Sequence, residues 1–223
     1  MANRPKSEAP LDEISLFPLP GNVPFPLAKI QLHIFEPRYR KMIHDSIANH
    51  RRIGVAHVKK ILAPSRVKPT APIEEKLNSN QGSYLPHEVF SAGFAKLQET
   101  LPDGRLLVEI EMDSRFQSID EVQSVPYKIM HCQRYEDTSV TDAENLRQEL
   151  NQLLITTLGP SFPEIENILS ASDWLQQSST DYSFRIYSLI GFDPDLMQTI
   201  LEMRSASDRI SYLKDCLQKG PLH

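Results

Sequence analysis

The sequence predicts an α+β protein, β-rich in its first part and helical in its second. Three observations carry this. Before residue 136, apolar residues recur at every second position in several short runs. After it, they recur at three- and four-residue spacing. The charge balance also changes sign. Residues 1–135 carry 18 Lys/Arg against 15 Asp/Glu, a balance of +3, and residues 136–223 carry 6 against 14, a balance of -8. This asymmetry predicts two units with different surfaces, placed at 12–136 and 137–219.

The strands come first. In "AKIQLHIF", Ile30, Leu32 and Ile34 alternate with Lys29, Gln31 and His33. "RIGVAHV" is a short β-branched run. "GRLLVEIEM" alternates Leu106, Val108, Ile110 and Met112, and "VPYKIMHCQRY" alternates Val125, Tyr127 and Ile129. Asp103-Gly104 is a hairpin turn, since glycine accepts positive φ without steric cost. It joins "SAGFAKLQET" to "RLLVEIEM" as antiparallel partners. One helix interrupts the strands. Pro37 suits its first turn, where a backbone N–H has no partner to lose. Tyr39, Met42, Ile43 and Ile47 then form its inward face. Residues 63–87 are polar and rich in Pro, Asn and Ser, which predicts a long loop.

The helices follow. Thr141-x-x-Glu144 is a capping box ahead of Leu146, Leu150, Leu153, Leu154 and Leu158, and Gly159-Pro160 ends that helix. "FPEIENILSASDWLQQ" and "STDYSFRIYSLIG" predict two shorter helices. Asp193-Pro194 starts another, with Leu196, Met197, Ile200 and Leu201 inward. Ser205-x-x-Asp208 restarts the helix before Ile210, Leu213 and Leu217.

Chemistry-bearing motifs are sparse. The chain has no phosphate-cradling glycine loop and no G-x-S-x-G elbow. His44, His50 and His57 lie six and seven residues apart, which does not place two imidazoles on one helical face. His131 and Cys132 are neighbours on a strand and point to opposite faces, so they cannot share a metal. Cys132 and Cys216 fit no redox spacing. The start of the chain has no apolar signal-peptide core, and no run approaches the ~18 apolar residues of a membrane span. The expected location is the cytoplasm. Between Arg38 and Lys68 there are nine Lys/Arg and one acid, Asp45, a stretch that could hold phosphate.

One long run is more particular. "LFPLPGNVPFPLAKIQLHIFEPRYRKMI" (16–43) resembles the start of the Lon protease substrate-binding domain, in a stand-alone form. Leu16 to Leu19, Phe25-Pro26 and Ile34 to Tyr39 match that family's motifs in order. "RIGVAHV", the hairpin with Gly93, Leu101 to Arg105 and Arg115-Phe116, and the tail with Gln198, Leu201-Glu202 and Arg209 continue the resemblance. It covers about residues 14–215. There are departures: the family's Pro-Gly is Pro26-Leu27 here, and a usual glycine is Met112.

The resemblance implies a PUA-like twisted β-barrel with one inserted helix, followed by a helical bundle. It implies a non-enzymatic module that binds polypeptide and serves protein quality control or regulated proteolysis. No catalytic residue, cofactor or metal is expected. Expected partners are unfolded or native polypeptide clients, with a protease or chaperone as a further class. DNA and membrane are not expected. Client segments would be buried in a groove between the β part and the helices, flanked by the 63–87 loop. Arg38, Arg40 and Lys41 are the candidate partner-binding residues, expected to point outward. Phe35, Glu36, Pro37, Tyr39, Asp103, Gly104, Arg115 and Phe116 are the structural motif. Two alternatives stand beside this reading. One is an RNA-binding PUA-like domain using the basic 38–68 stretch. The other is a small-molecule binder or enzyme built on Glu36, His57 or His131.

Overall fold

The computed structural model describes residues 10–64, 82–138 and 143–218. The chain divides into two compact units, the first ending at Tyr135 and the second starting at Glu136.

The first unit is built on a six-stranded sheet. Its strands are β1 (Asp12–Pro18), β2 (Lys29–Ile34), β3 (Ile53–Ala56), β6 (Val89–Thr100), β7 (Leu106–Gln123) and β8 (Lys128–Arg134). Their spatial order is β2-β7-β6-β3-β1-β8, and β7 pairs again with β8, so five strands close into a ring. Closure depends on the 18-residue length of β7. Its first part pairs with β2, and its second part, Phe116 to Gln123, with β8. Only β1 and β3 run parallel. The predicted hairpin forms at Asp103-Gly104, where Gly104 has φ of 84°. Asp103 accepts from the Arg105 backbone N–H at 3.1 Å, which fixes the turn.

The alternation predicted for the strands sorts side chains into two buried clusters. Phe17, Ile53, Val55, Leu106, Val108, Ile110, Met112, Tyr127 and Ile129 fall in one. Ile14, Leu16, Ala56, Phe90, Ala92, Phe116 and Cys132 fall in the other. Both faces of β1, β3 and β8 are therefore covered, as ring closure requires. Two glycines permit close approach. A Cβ on Gly93 would lie 1.8 Å from the Glu111 carbonyl oxygen, and one on Gly54 would lie 2.3 Å from the Phe90 ring. Gly93 also sits at a register shift in the β6–β7 ladder, where the strands bend.

Helix α1 (Pro37–Ala48) starts at Pro37 and buries Tyr39, Met42, Ile43 and Ser46. Ile47, expected on this face, is exposed. Ser46 takes the inward place because its hydroxyl donates to Ser15 Oγ at 2.9 Å across to β1. The 63–87 loop also needs correction. Its ends belong to a second, two-stranded antiparallel sheet of β4 (Val58–Ala63) and β5 (Ser83–Pro86). Residues 65–81 lie outside the described residues.

The second unit is helical: α2 (Glu144–Leu158), α3 (Ile165–Ser170), α4 (Ser172–Leu175), α5 (Ser179–Arg185), a 3-10 turn (Ile186–Leu189), α6 (Pro194–Glu202) and α7 (Ala206–Gln218). The Thr141 cap lies outside the described residues. Asp193 and Ser205 act as expected, accepting from the backbone N–H of Asp195 at 2.9 Å and of Asp208 at 3.3 Å. In α6, Gln198 is buried with Ile200 and Leu201, while Leu196 and Met197 are only half-buried.

This core is unusual for its arginines. Arg209 is fully buried on α7. Its guanidinium meets both Asp137 oxygens, at 2.8 and 2.6 Å, and donates to Ser183 Oγ and the Met203 carbonyl. Burying a charge is tolerable only with such pairing and hydrogen bonding. Arg147, also buried, donates to the Trp174 and Gln177 carbonyls and lies 4.5 Å from the Tyr182 ring centre.

Candidate functional site

The corner between β2 and α1 was the strongest local signal in the sequence. Glu36 is buried, and its carboxylate accepts from Arg38 Nε at 2.9 Å. Arg38 also donates to the Gly82 carbonyl at 2.7 Å and lies 4.6 Å from the Tyr39 ring centre. Burial pushes the Tyr39 hydroxyl up to about 12. Arg40 donates to the Gly104 carbonyl at 3.3 Å, which ties α1 to the hairpin turn. Arg38 and Arg40 thus serve the unit's own architecture. Lys41 alone of the three is exposed, held by Asp45 one turn along the helix at 3.0 Å. The expectation that all three point outward is corrected accordingly. The reason is that a guanidinium can reach carbonyls far away in sequence, which helical spacing does not reveal.

The other motif residues are structural in placement. Phe35 and Pro37 are half-buried. Phe116 is fully buried, with the guanidinium groups of Arg52 and Arg134 each 5.6 Å from its ring centre. Arg115 is buried, 5.2 Å from the Tyr135 ring centre. Arg105 holds the Asp103 carboxyl below its ordinary range, chiefly through its backbone N–H.

Two clefts open in this unit where the β4–β5 ribbon lies beside β1 and β8. The first, about 300 Å³, is lined by Arg38, Tyr39, Leu62, Tyr84, Val125 and Tyr127 among others. The second, about 340 Å³, is lined by Lys59, Leu85, Pro86, Glu88, Ile119 and Met130. Leu16 and Lys128, paired across β1 and β8, line both. These volumes are at the small end of ligand pockets, roughly 300–1,000 Å³. They are large enough to receive single large side chains. Large apolar side chains stand exposed on and beside them: Ile61, Leu62 and Leu85 on the ribbon, and Ile119, Val122 and Val125 on or after β7. Val125 is 75% exposed and Leu62 57%, so their apolar surface is available for contact. Grouping of this kind marks interaction surfaces. Sequence reasoning passed over these residues. Leu62 lies beside and Leu85 within the stretch whose composition predicts a loop, and Val125 belongs to the alternating run that predicts a strand.

The groups on which other chemistries depend do not converge. Glu36 pairs with Arg38, His57 stacks on His87 at 5.6 Å, and His131 lies 3.0 Å from Asp120. None of the three lines either cleft. Burial pushes the Cys132 thiol up to about 12, so it stays protonated. Among the described residues, no three His, Cys, Asp or Glu side chains are placed to hold a metal ion. Much of the basic stretch is ion-paired: Arg51 with Glu13, Arg52 with Asp113 at 2.9 Å, and Lys41 with Asp45. No helix among the described residues is long and apolar enough to cross a membrane.

Known structures share this fold. The N-terminal domain of Mycobacterium avium complex Lon protease superposes with a TM-score of 0.65 at 12% identity, covering 94% of this chain and all of that one. A Lon N-terminal domain protein from Xanthomonas campestris gives 0.58 at 16%, covering 91% and 97%. In sequence, Lon protease 1 of Herpetosiphon aurantiacus is 24% identical over 217 residues. That match takes in 89% of this chain but only 24% of the relative's length. Residues 13–219, spanning both units, match the family described as the ATP-dependent protease La (LON) substrate-binding domain, and the chain belongs to that family.

Proposed function

We propose that this chain is a polypeptide-binding module that captures exposed apolar segments of client proteins through the two clefts beside the β4–β5 ribbon. The observation that carries the reading is the grouping of exposed Leu62, Leu85, Ile119 and Val125 around two clefts of side-chain size. Apolar area covered by a client contributes roughly 25 cal/mol per Å² before the costs of association. No proton transfer, metal or nucleophile enters this activity. Clients are either unfolded chains or native proteins with exposed segments, and the module's place is in cytoplasmic protein quality control or regulated proteolysis. The family's name and that of the Lon protease relative support the link to substrate binding and proteolysis.

The reading is tested with the double variant L62D/V125D and β-casein, a naturally unfolded probe. Both side chains are exposed, so folding and Tm should be retained, while affinity for β-casein should fall at least tenfold. Unchanged affinity would sink the proposal.

A further inference from the structure

We infer that the clefts select extended client segments carrying two large apolar side chains at positions i and i+2, flanked by acidic residues. This rests on the polypeptide-binding reading and gives it a substrate class. The spacing is inferred from the adjacency of the clefts. The two clefts are adjacent and share Leu16 and Lys128. In an extended chain, alternate side chains emerge on the same side, about 6.6 Å apart. A segment laid along the ribbon therefore presents residues i and i+2 to neighbouring clefts.

The charge preference follows from the linings. Three cations, Arg38, Lys59 and Lys128, line the two clefts against one acid, Glu88. Glu36 offsets the charge of Arg38 within the unit. Lys128 is held by Glu121 at 2.6 Å, which fixes its ammonium between the clefts. An ammonium has three donors, so one carboxylate partner leaves others for a client. Lys59 is exposed, with Lys60 beside it. The unit's balance of +3 has the same sign. With Arg38 and Lys128 each holding a carboxylate, the positive excess at the rim comes from exposed Lys59 and Lys60 against Glu88, and carboxylates flanking the apolar pair are attracted to that side while lysines there are repelled. Complementarity of this kind acts on partner choice and association rate more than on total affinity.

The test compares three peptides by fluorescence anisotropy at low salt. One carries Phe-Ser-Phe flanked by two glutamates on each side. A second replaces the glutamates with lysines, and a third keeps them but replaces both phenylalanines with serine. The glutamate-flanked Phe-Ser-Phe peptide should bind at least tenfold tighter than either control. In the K59Q/K128Q variant its advantage over the lysine-flanked peptide should shrink to less than threefold. Equal affinities for the glutamate- and lysine-flanked peptides, with β-casein still bound, would overturn the selectivity and leave the polypeptide reading intact. Loss of β-casein binding as well would remove both. An advantage undiminished in K59Q/K128Q would place the selecting charge elsewhere and also overturn the inference.

Discussion

The two units fill their cores by different means. The β unit relies mainly on apolar side chains on both faces of a closed ring, with Glu36 and Arg115 as buried charges and glycines where backbones or rings come too near for a Cβ. The helical unit places two arginines inside, Arg147 and Arg209, and surrounds them with carbonyls, a carboxylate and aromatic rings. A ring of strands has almost no slack in shape, and its weak points are steric. A bundle of short helices leaves many helix ends to satisfy, and long cationic side chains can reach them. Its weak points are therefore electrostatic.

The largest expected effect tests the electrostatic half of that contrast. Asp137→Ala leaves the Arg209 guanidinium buried without its carboxylate. Breaking such a pair costs about 3–5 kcal/mol. Chemical denaturation followed through Trp174, which lies 4.4 Å beneath the Arg185 guanidinium in the same unit, should register the loss. Amide exchange should show the greatest loss of protection in α5 and α7. A change under 1 kcal/mol would mean that the pair contributes little to the core.

The steric half is tested by Gly93→Ala. The added Cβ meets backbone, which has no rotamer by which to escape, so about 3 kcal/mol of destabilisation is expected. Thermal melts should show it. The loss of exchange protection should concentrate in β6 and β7. If Gly93→Ala melts like the parent, the tight approach is not a constraint.

Alkaline pH acts on both units through a shared feature. Burial raises Tyr39 and Tyr127 to about 12, with the Asp45 carboxylate adding to the rise at Tyr127. Tyr182 and Tyr187 are raised further by burial. A raised tyrosine binds its proton more tightly in the folded state. Its contribution is complete below pH ~10 and is lost as pH rises toward the folded value. Each such group should cost about 1.4 kcal/mol per pH unit between roughly 10 and 12. Tyr127→Phe should flatten this slope, measured by urea denaturation at a series of pH values.

The smallest effect is a gain. Leu27 has φ of +69°, a left-handed conformation costing a side-chain-bearing residue about 1–2 kcal/mol. Its N–H still donates to the Met112 carbonyl at 2.8 Å, which holds the turn against β7. Leu27→Gly should stabilise the β unit by about 0.5–1 kcal/mol, after the entropy that glycine adds to the unfolded chain. This is the position where the Lon resemblance leads one to expect glycine. A drop in Tm would show that the half-exposed leucine contributes more by packing than its backbone costs.

Legibility in the sequence followed how local the cause was. The β2 alternation, the proline-led start of α1, the Asp103-Gly104 turn and the caps at Asp193 and Ser205 all depend on neighbours within a few residues, and each forms as expected. The β4–β5 ribbon was missed because its register shifts twice within six residues, erasing the period-two signal. Val125 falls outside the alternation because it lies before the start of β8. The candidate clefts were not legible, since their walls come from β1, α1, β4, β5, β7 and β8 and from residues 124–127.

By itself, then, the sequence determined the α+β class, most element positions and the family, because backbone preferences and hydrophobic periods are set along the chain. Tertiary structure alone decided which polar groups go inside. Ser46 displaced Ile47 because Ser15 awaited it across the fold, and Arg38, Arg40 and Arg209 turned inward because distant carbonyls and carboxylates could receive them. It also decided which apolar side chains stay outside, because exposure is a property of packed neighbours that one segment does not contain.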